Sequence, residues 1–160
     1  GREKLSFTFK KKIMRKYEKS IKKTLSLSGL VHAESVNVES IVKTAMPYIS
    51  PNLTGEAVLT VGSAIADIAS HACGVIAIGP FGCMPNRLSE AILTEVMNRE
   101  GKLAAGPGNR RLKAVLSDAD NLPFLAIESD GSLFPQLITA KLDAFCLQAK
   151  RLHLAMMRHQ

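Results

Sequence analysis

Cys73, Cys83 and Cys146, with the acids Glu128 and Asp130, are the residues of this 160-residue chain best suited to chemistry. Cys83 stands in Pro80-Phe-Gly-Cys-Met-Pro85, between a short apolar run and a segment with helical periodicity. A thiol at a helix N-terminus meets free amide donors and the positive end of the helix dipole, which favour the thiolate that attacks electrophiles or binds metals. Pro80, Gly82 and Pro85 give that loop a stiff backbone able to approach a ligand closely. Glu128 and Asp130 follow a second apolar run and form the acidic half of the same candidate site. Plainer roles compete: Cys83 as an ordinary loop thiol, Asp130 and Ser132 as helix caps, and Glu128 as the partner of backbone donors or of an arginine such as Arg87. Cys73 opens an apolar run and Cys146 lies on the apolar face of a helix, so both read as core. His32, His71, His153 and His159 have no metal-ligand spacing and read as surface or helix-packing residues.

The odd cysteine count, with no CxxC pair, argues against a disulfide framework and a self-contained zinc site, and for a reducing, cytoplasmic setting. Other catalytic signatures fail. Gly106-Pro-Gly-Asn-Arg-Arg-Leu lacks the GK[ST] that ends a phosphate-binding loop, Gly79-Pro-Phe-Gly82 is not GxGxxG, and GxSxG does not occur.

The elements that must position these residues follow from periodicity. Ile13, Met14, Tyr17 and Ile21 predict an amphipathic helix from about Lys10 to Leu25. Leu30 to Val38 fits either an edge strand or an irregular link. A helix from about Val38 to Ile49 should stop before Ser50-Pro51. Val58, Val61, Ile65, Ile68 and Ala72 predict a helix across 55–71, slimmed by Ala57, Gly62, Ala64 and Ala69. Cys73 to Gly79 reads as a strand buried on both faces, as parallel sheets require. Next comes a helix at about Asn86–Arg99, with Leu88, Ile92, Val96 and Met97 inward and Gly101 as its stop. A short helix around Arg111–Leu116, a second buried strand at Leu122–Glu128 and a long helix at about Phe134–Met157 complete the chain. Pro135 falls in the first turn of that last helix, and Ile138, Leu142, Phe145, Cys146 and Leu152 lie on its buried face.

These patterns define an α/β fold: a helix-rich layered domain with a small parallel sheet built around a βαβ unit, Rossmann-like in character. Two parallel strands do not make a stable sheet alone, so further strands are expected from the ambiguous segments or from a neighbouring domain. Ligands of such sheets collect beyond the carboxyl ends of the strands, where the Cys83 and Glu128–Ser132 loops should emerge side by side.

Charge divides the chain. Residues 1–25 hold ten Lys/Arg against Glu3 and Glu18, a local charge of +8 within a net +7. Residues 1–27 therefore read as a basic helix or linker and 28–160 as the α/β domain. Such an arm can contact phosphates, but no nucleic-acid-binding motif accompanies it, and a solvated helix face packed against other parts of a parent chain is the plainer reading. No apolar run approaches the roughly 18 residues of a membrane span, so no membrane contact is expected.

Gly55-Glu-Ala-Val-Leu-Thr-Val-Gly62, Gly74-Val-Ile-Ala-Ile-Gly-Pro-Phe-Gly-Cys-Met-Pro85, Pro123-Phe-Leu-Ala-Ile-Glu-Ser-Asp-Gly131 and Leu142-Asp-Ala-Phe145 resemble the C-terminal region of large acyl-CoA dehydratase activase-related proteins. The resemblance spans about residues 28–155, and GPFGCMP is its most specific piece. It implies a dehydratase-subunit-like fold within a multidomain 2-hydroxyacyl-CoA dehydratase and activase system. It also implies that Cys83, flanked by Gly82 and the Glu128–Asp130 loop, ligates an iron–sulfur (4Fe-4S or related) cluster. The other ligands would come from neighbouring domains, ATP would bind a separate activase module, and this piece alone would hold no cofactor stably and be inactive. Partners implied are other domains of the parent, activase or dehydratase subunits, and an acyl-CoA substrate. A non-catalytic scaffold domain and nucleic-acid contact through the basic helix are the alternatives.

Overall fold

The structure, a computed structural model, describes residues 2–29, 33, 36–53, 55–106, 108–129, 131 and 135–160. The chain separates into two compact units, Gly1–Asn37 and Val38–Gln160.

The first unit is dominated by one helix, α1 (Arg2–Ser26). It begins well before the expected Lys10. Residues 2–9 contain no Gly or Pro, so extending the helix through them costs only small propensity differences. Gly29, at φ 74°, follows the terminal turn in which the amides of Leu27, Ser28 and Gly29 bond to carbonyls three residues back. The Glu18 carboxylate accepts a hydrogen bond from the Val36 amide at 2.9 Å and lies 3.9 Å from Lys22 Nζ. Most of the ambiguous Leu30–Val38 segment lies outside the described residues.

The second unit contains α2 (Val38–Ala45), α3 (Ala57–Asp67), β1 (Val75–Pro80), α4 (Met84–Val96), α5 (Arg99–Ala104), α6 (Arg110–Ser117), β2 (Phe124–Ser129) and α7 (Pro135–Arg158). The expected α3 stripe forms the middle of the core: Val58, Val61, Ile65 and Ile68 are buried against residues that include Leu93, Val115, Leu116 and Leu152. Gly62 brings α2 close, since a Cβ there would lie 2.2 Å from the Ile41 carbonyl oxygen. α3 ends at Asp67, four residues before His71, because Ile68 is extended and Ala69 turns left-handed at φ 60°. Lys102 caps two carbonyls of the last turn, its Nζ donating to Ile65 O at 2.5 Å and Ala66 O at 2.9 Å.

Gly101 does not stop the helix before it, as the sequence suggested; it lies inside α5. The break falls at Met97–Asn98, where the Asn98 side chain accepts from the Gly101 amide at 2.8 Å and starts a new helix. An N-capping side chain thus decides a boundary that a glycine seemed to mark. Asn109 starts α6 in the same way through the Leu112 amide.

β1 and β2 pair in parallel, from Val75 opposite Phe124 to Pro80 opposite Ser129, so the expected β–α–β order is present in a mixed α/β, helix-rich chain. No other strand occurs among the described residues. The expectation that the first strand is buried on both faces is corrected. Ala77 is buried, whereas Ile76 is 40% and Ile78 69% exposed. α7 approaches that outer face at its start, with Phe145 lying over Gly74 just ahead of the strand, and Ile78 beyond it stays exposed. On α7, Leu152 is buried and Ile138, Leu142 and Phe145 are half-buried, as the spacing predicted. Cys146 is exposed, not core: one residue beyond Phe145 it is turned about 100° around the axis, off the buried stripe.

Candidate functional site at the carboxyl end of the sheet

The two strand ends emerge together. Phe81 donates its amide to Ser129 O at 3.0 Å, which holds the Cys83 loop beside the end of β2. The chain then reverses through Pro80-Phe-Gly-Cys83, closed by the Cys83 amide on Pro80 O at 3.1 Å. Gly82 occupies the third position of that turn at φ 73°, the left-handed geometry a type II turn requires there. A Cβ at Gly82 would meet nothing within 4 Å, so conformation and not crowding calls for glycine.

Cys83 is the N-cap of α4, extended at ψ 108°, and Pro85 follows in the first turn. The helix therefore begins at Met84, ahead of the expected Asn86. The Cys83 carbonyl accepts the Arg87 amide at 2.9 Å, while its side chain makes no capping bond to the helix. Cys83 is half-buried with its thiol unspent, and its sequence neighbours Phe81 and Met84 are exposed.

Glu128 sits opposite Gly79 in the sheet register, on the face that carries α4. Its carboxylate lies 3.3 Å from Arg87 Nε, as the sequence anticipated, and Arg87 also bonds Glu90 at 3.0 Å. The buried Glu128 Oε1 has no aligned hydrogen bond, so the Arg87 contact is ionic in character, and Coulomb attraction does not require the alignment a hydrogen bond does. Asn86 reaches back over the strand end. A Cβ at Gly79 would meet Asn86 Cγ at 2.7 Å, and Asn86 Nδ2 is buried without a partner. One buried donor without a partner, Asn86 Nδ2, and one buried acceptor held only by an ion pair, Glu128 Oε1, thus belong to the residues at this end of the sheet. Such atoms carry a desolvation cost that a bound polar group would relieve.

Of the sequence-predicted residues, Cys83, Gly82 and Glu128 come to one end of the sheet; Asp130 lies outside the described residues. Cys73 is half-buried and packs against the core, as expected. His71 and His159 pair with Asp67 at 3.6 Å and Asp118 at 3.2 Å. No group of three or more His, Cys, Asp or Glu side chains able to hold a metal occurs among the described residues.

Sequence reasoning missed Asn86 and Glu90, although the steps from Cys83 to Asn86 and from Arg87 to Glu90 are helical-neighbour spacings. It also missed Lys102, 6% exposed, whose burial pushes its pKa down to about 8 against a smaller upward pull from Asp67. Lys102 lines a cleft of about 280 Å³ with Ser40, Thr44, Gly106 and Leu112, and Cys83 lines no part of it. Nothing in the local sequence distinguishes this lysine from its exposed counterparts.

What the fold and site define is a helix-rich α/β domain that offers a thiol and an ion pair at the carboxyl end of a two-stranded parallel sheet. Comparison with models of protein families, with curated proteins and with solved structures gives no match. Among the described residues, no helix is long and apolar enough to cross a membrane.

Proposed function

We propose that this chain is a cytoplasmic domain of an acyl-CoA dehydratase activase-related protein, Rossmann-like and dehydratase-subunit-like in its sheet, that gives Cys83 as one ligand to an iron–sulfur cluster. The observation that supports this most is the unspent Cys83 side chain at the N-cap of α4, directly after a parallel strand. Amide donors at the helix start and the nearby Arg87 offset negative charge on a thiolate and on the sulfides it would adjoin. The exposed Phe81 and Met84 side chains would dry the surroundings once a neighbouring domain covered them. Within the assembly, ATP hydrolysis by a separate activase module would drive an electron to low potential, and the cluster would relay it to reductive or radical chemistry on an acyl-CoA. The remaining ligands would come from other domains of the parent protein, and this domain alone would be inactive.

The test is iron and acid-labile sulfide analysis of the anoxically purified parent, with Cys83→Ser beside Cys146→Ser as an exposed-thiol control. The expected outcome is loss of cluster iron and of its paramagnetic signal in Cys83→Ser alone. Equal iron and sulfide in all three proteins would remove Cys83 from the site. A parent without any cluster would instead support a scaffold role, a reading favoured by the uncovered Ile76, Ile78, Phe81 and Met84.

A further inference from the structure

The first unit carries a surface that the thiol site does not use. Projected down the axis at about 100° per residue, Phe9, Ile13, Met14, Tyr17, Ile21 and Leu25 of α1 fall within an arc of roughly 160°. All six are exposed, from 40% at Ile13 to 72% at Met14. Lys11, Lys12, Arg15, Lys16, Lys19 and Lys23 fall on the opposite arc and are exposed as well. Between Phe9 and Leu25 the only acid is Glu18, which is engaged by the Val36 amide and Lys22. Ser20, Thr24 and Lys10 also fall within the apolar arc; the two hydroxyl side chains are small and uncharged, and the long stem of Lys10 can carry the ammonium back to water.

Charge and shape together select the partner. A nucleic-acid backbone would neutralise the basic arc but leave two aromatic and four aliphatic side chains in water. The headgroup region of an anionic bilayer takes both arcs at once: the apolar side chains enter the acyl boundary while the lysines face acidic lipid headgroups. We propose that α1 is a membrane-surface helix that lies in the plane of an anionic leaflet and holds the protein there peripherally. The cytoplasmic leaflet is the anionic one, which agrees with a reducing location for the thiols. This inference is independent of the role of Cys83.

The experiment is co-sedimentation of the full 160-residue chain with phosphatidylcholine vesicles, alone or with about one-third phosphatidylserine, far-ultraviolet circular dichroism confirming that each variant keeps its helices. The chain should bind the serine-lipid vesicles at least about tenfold better than the neutral ones. Each of Lys12→Gln, Lys16→Gln and Lys19→Gln should weaken that binding about fivefold, the equivalent of about 1 kcal/mol per charge. Ile13→Ser/Ile21→Ser should lower it about tenfold or more without altering charge, whereas Ile13→Leu/Ile21→Leu should bind as the unaltered chain does. Absence of binding, or equal binding to both kinds of vesicle, overturns the proposal. So does binding that is unchanged by Ile13→Ser/Ile21→Ser, and so does a tighter hold on duplex DNA or RNA that survives those changes, since either would mark a purely electrostatic partner.

Discussion

The interior around α3 and the outer face of the sheet are built from the same aliphatic residues and differ in everything else. Val61, Ile65, Ile68 and Leu93 are at most 1% exposed, while Ile78 is 69% exposed. Helix-on-helix packing surrounds the first group, whereas the sheet has only two strands and one helix partly over its outer side. Cohesion of the second unit therefore resides in the helices, and the sheet serves to bring two loop starts to one place. The candidate chemical residues sit at the weakly covered end, beside an unpartnered Asn86 amide nitrogen and an exposed turn.

The contrast can be broken most directly at Leu93. Leu93→Ala should destabilise the protein by about 3–4 kcal/mol in urea unfolding, through lost burial plus the cavity left behind. A loss below about 1 kcal/mol would show the interior to be as loosely held as the sheet face.

The next effect concerns Lys102. Its folded pKa, about 8, lies below the ordinary 10.5. Between those values the unfolded chain binds more protons than the folded one, so stability should rise with pH in that window and receive no slope from this group below it. The rise is at most about 3 kcal/mol. A neutral amine still has two N–H donors for the Ile65 and Ala66 carbonyls, so the cap survives deprotonation. Denaturant midpoints between pH 8 and 10.5 should climb in the unaltered protein and lose this contribution in Lys102→Met; parallel profiles would show that the side chain is hydrated.

The smallest effect belongs to the sheet. Ile78→Thr keeps the β-branch on an exposed strand position and should change stability by no more than about 0.5 kcal/mol. A larger loss would mean that something covers the face.

What was legible in the sequence followed from period and from short-range geometry. The α3 stripe and the two strands in their β–α–β order could be read from spacing, and Arg87 was one of the partners the charge of Glu128 allowed. The errors fell where a distant partner decides the outcome. Gly101 looked like a helix stop because nothing in its neighbourhood reveals that Asn98 will cap a new helix onto it. The apolar run at β1 looked doubly buried because its composition cannot report how many strands and helices arrive to cover it. Cys146 reads as part of the apolar face of α7, and one residue of helical rotation past Phe145 carries it to the surface. At the site, the thiol and the glutamate were visible from loop chemistry, but the orphaned Asn86 amide depends on its approach to Gly79, a contact no pattern encodes.

Tyr48 gives the second unit an optical property of its own. Its hydroxyl donates to the Gly101 carbonyl, burial raises its pKa, and Val38–Gln160 contains no other tyrosine and no tryptophan. Near-ultraviolet absorbance and fluorescence from that unit therefore come chiefly from one phenol, lodged where the end of α2 meets α5. Loosening at that junction can be followed spectroscopically without an introduced label, as a change over the background of the exposed Tyr17 on α1.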